Sequence, residues 1–298
     1  MELRGRFAKL ISVQPSEELE YYASLPQPED RPVLEPVGPN NPPWGVWEGI
    51  GTWVASVLLI IIVPGLFLLP YLATLKPAIT ENEQLVEFAK TDPTAVFLQI
   101  VSIIPAHLFT VLLAWLVITR VRKYSFRKTL GWETGGFQWW YYPAILIAFF
   151  VVAAIVGSLL PEKENDMIRM IHSSRSAVYI MAFLATFTAP FVEEVVYRGV
   201  LYSSFQRRLG VPAAFLLTTF LFALVHVPQY WPSYSTLLLL GILSLVLTSI
   251  RVKTNNLWPC IVLHTLFNGL QSALLLAEPF LPKADVQQQA AAFFHILK

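Results

Sequence analysis

The sequence predicts an all-α protein, a polytopic bundle of about seven transmembrane helices, on three observations. Of 298 residues, 55% are hydrophobic and only 14% charged, where a soluble domain carries roughly 25% charged residues. Mean hydropathy over the whole chain is +0.55. Apolar stretches recur at 47–75, 95–119, 139–160, 177–205, 211–227, 234–250 and 257–277, against the ~20 mostly apolar residues that a helical span needs. The fifth and sixth are short. An eighth helix is counted only if residues 284–297, ADVQQQAAAFFHIL, lie in the membrane interface.

Taken in order, residues 1–46 form a different region. Pro15, Pro26, Pro28, Pro32, Pro36, Pro39, Pro42 and Pro43 interrupt it, and seven of the chain's twenty acids lie in it. It reads as a cytosolic arm, extended and poorly ordered. With no apolar core of about 7–15 residues near its start, the first span is expected to act as an uncleaved signal anchor. Residues 47–131 hold the first two spans and a basic loop, 132–278 the five-span core, and 279–298 a tail with amphipathic character.

Orientation follows the Lys/Arg bias of the loops. An inside N-terminus places Arg120, Arg122, Lys123, Arg127, Lys128, Arg207, Arg208, Arg251 and Lys253 in the cytoplasm with the bases of the arm. The split is 13 inside against 7 outside, leaving out Arg198. Trp139, Trp140, Tyr141 and Tyr142 fit an interfacial belt opening the third span. The bias and the absence of a transit peptide fit a bacterial inner membrane. The net charge of +1 argues against a nucleic-acid partner, and the single cysteine, Cys260, excludes an intrachain disulfide.

Polar residues inside the spans carry the functional reading. The fourth span contains FVEEVVYRGV, residues 191–200, although an ionised Glu or Arg at the bilayer centre costs at least ~2.5–3.5 kcal/mol. Glu194 and Arg198 are spaced i,i+4 and share a helical face. Glu193 is turned about 100° away, so the arginine neutralises the second glutamate and leaves the first free for chemistry. By the helical rise, Glu193 lies roughly 20 Å from the end near Arg207, His226 roughly 22 Å from Val211, and His264 with Asn268 roughly 10–17 Å from Leu257. These groups converge in depth. A polar knot that locks helix packing is the plainer alternative for each residue singly, but it explains the whole set less well.

A glutamate and a histidine on one water can take its proton and pass it on. Hydrogen-bond donors such as His264 and Asn268 can steady an oxyanion, each typically worth roughly 2.7–4 kcal/mol. That set describes hydrolysis of an acyl bond. Cys260, in an apolar setting, reads as structural.

EEVVYR (193–198), FALVH (222–226) and HTLFN (264–268) resemble, in order, the EExxxR, FxxxH and HxxxN signatures of the CAAX protease and bacteriocin-processing family. This family is also called the ABI or type II CAAX prenyl endopeptidase family. The resemblance covers roughly residues 132–277. It implies an intramembrane endopeptidase in which Glu193 and His226 activate water, and His264 and Asn268 form the oxyanion hole. Glu194, Arg198 and Phe222 would support them. The expected partners are the lipid bilayer and a membrane-anchored peptide or protein substrate, lipidated substrates included. No cofactor is expected; the alternative is zinc on Glu193, His226 and His264, with Glu194 as a further potential ligand, since the family has been described both as metalloproteases and as glutamic endopeptidases. A non-proteolytic scaffold or immunity-type protein of the same fold is the competing function. A transporter or proton relay ranks below both, because the chain lacks the paired helix breaks in two halves that it would need.

Overall fold

The computed structural model describes residues 37–277, apart from 77–78, 80, 134–135, 161–162, 164, 166–167 and 171–173, together with residues 20 and 280. The chain divides into two units, Met1–Pro36 and Val37–Lys298. The arm expected over 1–46 lies outside the described residues up to position 36, Glu20 apart, as does the tail from 281.

The described residues are helical, with no strand among them. The elements are α1 (Val46–Leu72), α2 (Asn82–Thr91), α3 (Pro93–Thr119), α4 (Phe126–Leu130), α5 (Tyr141–Leu159), α6 (Arg175–Leu209), α7 (Val211–Tyr230), α8 (Tyr234–Thr254) and α9 (Trp258–Ala277). Seven of them, all but the short α2 and α4, are long and apolar enough to cross a membrane. They match the seven expected spans, with ends shifted by a few residues.

Helix ends follow local chemistry. Asp92 caps α3, its carboxylate accepting from the amides of Thr94 and Ala95 at 3.0 and 2.8 Å, with Pro93 at the first helical position, where no N–H is needed. Gly131 closes α4 at φ +64°. A Cβ there would also stand 2.1 Å from the carbonyl oxygen of Asn255, so the position takes glycine on both counts.

Helix α6 is the central element, packing against α1, α3, α7 and α9. Its approach to α1 is close, since a Cβ on Gly49 would fall 2.4 Å from Ser204 Oγ. One end of the bundle gathers the segment before α1, the α3–α4 turn, the α6–α7 turn and the α8–α9 turn. Arg207 donates to the carbonyl of Pro42 at 2.6 Å, Gln206 to Asn40 at 3.0 Å, and Asn256 to the carbonyl of Glu133 at 2.6 Å. Residues 37–45, the last of the expected arm, therefore lie packed on that end, and Trp44 is buried there. Arg122, Lys123, Arg127, Lys128, Arg207, Arg208 and Lys253 are exposed on the same end.

Arg251 is a correction. It was expected in a cytoplasmic loop, but α8 continues to Thr254 and turns this arginine inward, 1% exposed. Removing it leaves twelve bases against seven, so the bias keeps its sign.

Candidate active site

The site is built on α6, which is not a uniform α-helix. Two π-helical turns, Leu184–Thr188 and Val195–Leu201, flank a short α-helical piece, Ala189–Glu194. The first has a local cause. Pro190 lacks an N–H and its ring crowds the carbonyl one turn back, which favours a widened turn. Widening opens backbone carbonyls to donors from elsewhere. Asn268 Nδ2 donates to the carbonyl of Ala185 at 2.9 Å, and Thr188 Oγ1 to that of Leu184 at 3.2 Å. In the second π turn, Trp44 Nε1 donates to the carbonyl of Val200 at 3.0 Å and Arg251 Nε to that of Arg198 at 3.1 Å.

The two adjacent glutamates have different surroundings. Glu194 is sealed. One of its oxygens, Oε1, lies 2.8 Å from Arg198 Nη1 and 2.9 Å from His264 Nδ1. The other, Oε2, is buried without a hydrogen-bond partner. Glu193 keeps 26% of its side chain exposed, and its Oε2 lies 3.8 Å from His264 Nε2. Thus His264 stands between the two carboxylates, bonded to one and open to the other.

Arg198 is held on every side. Its guanidinium also donates to Ser244 Oγ at 2.6 Å, the Ser244 carbonyl at 3.2 Å and Thr248 Oγ1 at 3.3 Å. The ring of Phe222 lies 4.7 Å from Cζ, a cation–π contact.

The histidines share a pattern. His226 Nδ1 stands 2.7 Å from the carbonyl oxygen of Phe222. A carbonyl only accepts, so Nδ1 carries the proton and Nε2 is left for other partners. His264 has Nδ1 on the Glu194 carboxylate and likewise presents Nε2. Glu193 and His226 were expected to share a water, and the ring nitrogen within ion-pair distance of Glu193 is Nε2 of His264. The Phe222 ring touches both imidazoles, tilted to that of His226 at 4.9 Å and edge-on to that of His264 at 6.1 Å. Asn268 is brought to the same helix but uses one amide N–H on Ala185.

Several residues here were not singled out by the sequence reading. His107 of α3 has Nδ1 2.9 Å from Thr188 Oγ1 and lies within electrostatic reach of Glu193. A lone histidine in an apolar span was the available signal. Ser244 and Thr248, hydroxyls one turn apart in α8, gave a weaker one. Cys260 is buried, with Sγ 3.4 Å from the carbonyl of Leu247. Among the described residues no three His, Cys, Asp or Glu side chains form a group that could hold a metal ion. The reserve zinc set of Glu193, His226 and His264 is therefore not gathered as a cluster.

Comparison with known proteins places this geometry. Residues 175–270, from the start of α6 to just past Asn268, match the family model described as type II CAAX prenyl endopeptidase Rce1-like. The UPF0177 protein YvdC of Lactococcus lactis subsp. lactis is 32% identical over 154 residues, which make up 47% of this chain and 56% of that protein. The chain thus spans little more than half the length of that curated relative. No solved structure matches. The three motifs thus lie inside a stretch, 175–270, that is similar to this family model, and with its seven long apolar helices the chain is an integral membrane protein.

Proposed function

We propose that this protein is an intramembrane endopeptidase that hydrolyses a peptide bond of a membrane-associated substrate, lipidated substrates included, with water activated by side chains. One observation carries the reading. Of two neighbouring glutamates, one is consumed by an arginine and a histidine, while the other remains partly open beside that same histidine.

In this reading Glu193 takes a proton from a water held with His226 through its Nε2. The water oxygen attacks the scissile carbonyl carbon, and the resulting oxyanion is met by His264 and Asn268. Collapse breaks the C–N bond, and the proton on Glu193 passes to the leaving amine. For His264 to donate from Nε2 while Nδ1 faces Glu194, its ring must carry both protons, and two carboxylates stand nearby as countercharge. Glu194 and Arg198 then hold His264 in place. The exposed bases on one end of the bundle support a cytosolic N-terminus in a bacterial inner membrane. Cysteines introduced at Arg127 and Lys163 test this; labelling of position 163 from the cytoplasm overturns it.

The test of chemistry is Glu193→Gln, which keeps shape but cannot accept a proton. Membrane peptidomes with and without the substitution identify what is cut. On that substrate, turnover falls at least ~100-fold, while thermal stability stays within about 0.5 kcal/mol. Near-normal cleavage by the folded variant removes Glu193 as the base. Indistinguishable peptidomes, with a partner still retained on the purified protein, point instead to the scaffold or immunity-type reading.

A further inference from the structure

We propose that Trp44 and Arg251, both outside the three motifs, are positioning residues that clamp the second π turn of α6 and thereby set Glu194 against His264. Their importance for turnover rests on the peptidase reading above; their effect on geometry does not.

Helix α8 carries three polar residues on one stripe. Ser244, Thr248 and Arg251 recur at i, i+4 and i+7, one face of a helix. All three act on the same residue of α6. Ser244 and Thr248 hold the guanidinium of Arg198, and Arg251 Nε takes its backbone carbonyl at 3.1 Å. Residue 198 is thus gripped by side chain and main chain from one stripe. Arg251 reaches further, to the carbonyl of Leu130 at 2.9 Å and Ser203 Oγ at 3.3 Å, so it ties the turn to α4 and to the following α-helical piece.

Trp44 approaches the same turn from another side. Its indole N–H donates to the carbonyl of Val200, two residues beyond Arg198. The tryptophan is itself fixed, because the neighbouring carbonyls of Pro42 and Pro43 are taken by Arg207 and Arg120. Both clamp residues are 1% exposed.

The acceptors of Arg251 are two carbonyls and a hydroxyl. A sealed cation bonded to neutral groups is costly to keep, and a well-packed apolar residue would fill the space at lower cost. A geometric task accounts for its presence. π-Helical turns are intrinsically less stable than α-helical ones, so a turn that places a catalytic pair needs outside donors. The chain from clamp to site is short: the carbonyl of Arg198, its side chain, then Glu194 Oε1 and His264 Nδ1.

The test uses the full-length protein in lipid nanodiscs, with histidines labelled in the ring nitrogens and His264 assigned by His264→Gln. The variants are Trp44→Phe, which keeps an aromatic ring and loses the N–H, and Arg251→Lys, which keeps the charge and loses the fork. Each is expected to displace the His264 ring 15N signals at fixed pH, and to raise amide exchange over 195–205 roughly tenfold, as for loss of one backbone-capping bond. His107 and His226 should keep their signals. Unmoved His264 signals and wild-type exchange in both variants overturn the proposal, as does a uniform rise of exchange along α6, which marks general destabilisation. Because neither measurement uses a substrate, peptidomes that do not differ with and without Glu193→Gln would defeat the peptidase reading and leave this clamp standing.

Discussion

Arg198 of α6 and Arg251 of α8 are both sealed from solvent and are joined by a hydrogen bond. Their surroundings differ. Arg198 meets a carboxylate at 2.8 Å and an aromatic face, whereas Arg251 meets carbonyls and a hydroxyl. The first is half of a charge pair that neither residue can leave without stranding the other. The second is a lone charge spread over dipoles. Equal burial therefore does not imply equal dependence, and substitutions can separate the two.

The largest effect belongs to Arg198. Arg198→Ala leaves Glu194 in the core with His264 as its remaining partner and one oxygen already unpartnered. Breaking one side of such a buried pair costs about 3–5 kcal/mol, read as a fall in thermal midpoint of the detergent-solubilised protein, with turnover lost alongside. Arg198→Lys restores the charge but not the forked reach to Ser244 and Thr248, and recovers part of the loss. The sharper control is Arg198→Met with Glu194→Gln, which removes both charges and should be more stable than Arg198→Ala alone. If the double variant is worse, charge pairing is not what Arg198 supplies.

Arg251→Met comes next. No carboxylate is stranded, only three neutral acceptors, each costing about 1–3 kcal/mol if it stays buried and finds no other donor. Part of that is offset because the cation's own desolvation is relieved. The expected loss is therefore smaller than for Arg198→Ala by thermal unfolding under identical conditions. A loss as large as that of Arg198→Ala breaks the comparison, because neutral acceptors would then hold an arginine as firmly as a carboxylate does.

The same pair shows what the sequence could express. Seven spans were legible because each is a long apolar run, and lipid leaves the backbone little choice but helix. The Glu194–Arg198 contact was legible because both partners sit four residues apart on one helix. Arg251 was not, since its partners lie 53, 121 and 48 residues away, and the apolar run stops at Ile250 where the helix does not. The π turns were equally hidden. A reading at 3.6 residues per turn treats 177–205 as uniform, and only Pro190 hinted at a break. Their consequence was larger than that of any boundary error: they expose carbonyls to Asn268, Trp44 and Arg251, and the sequence reading assigned the first only to an oxyanion and left the other two outside the site.

A third arginine supplies the smallest effect and sharpens the ranking. Arg120 pairs with Glu48 through both terminal guanidinium nitrogens, where Arg198 reaches Glu194 through one, but the two side chains are 37% and 40% exposed. Water and salt then screen the pair, which limits its worth to roughly 0.2–1 kcal/mol. Arg120 sits at φ +47°, a region asparagine tolerates better than most residues, so Arg120→Asn removes the ion pair without adding backbone strain. It also frees the carbonyl of Pro43, which lies at the surface of the bundle end and can turn to water. The expected loss is below that of Arg251→Met, and it should shrink further in high salt as the wild-type pair weakens. Comparing thermal midpoints of both proteins at low and high salt checks this. A loss that matches Arg198→Ala, or that ignores salt, would show that anchoring of residues 37–45 dominates over the ion pair, and the order of the three arginines would then follow what each one tethers rather than how deeply it is buried.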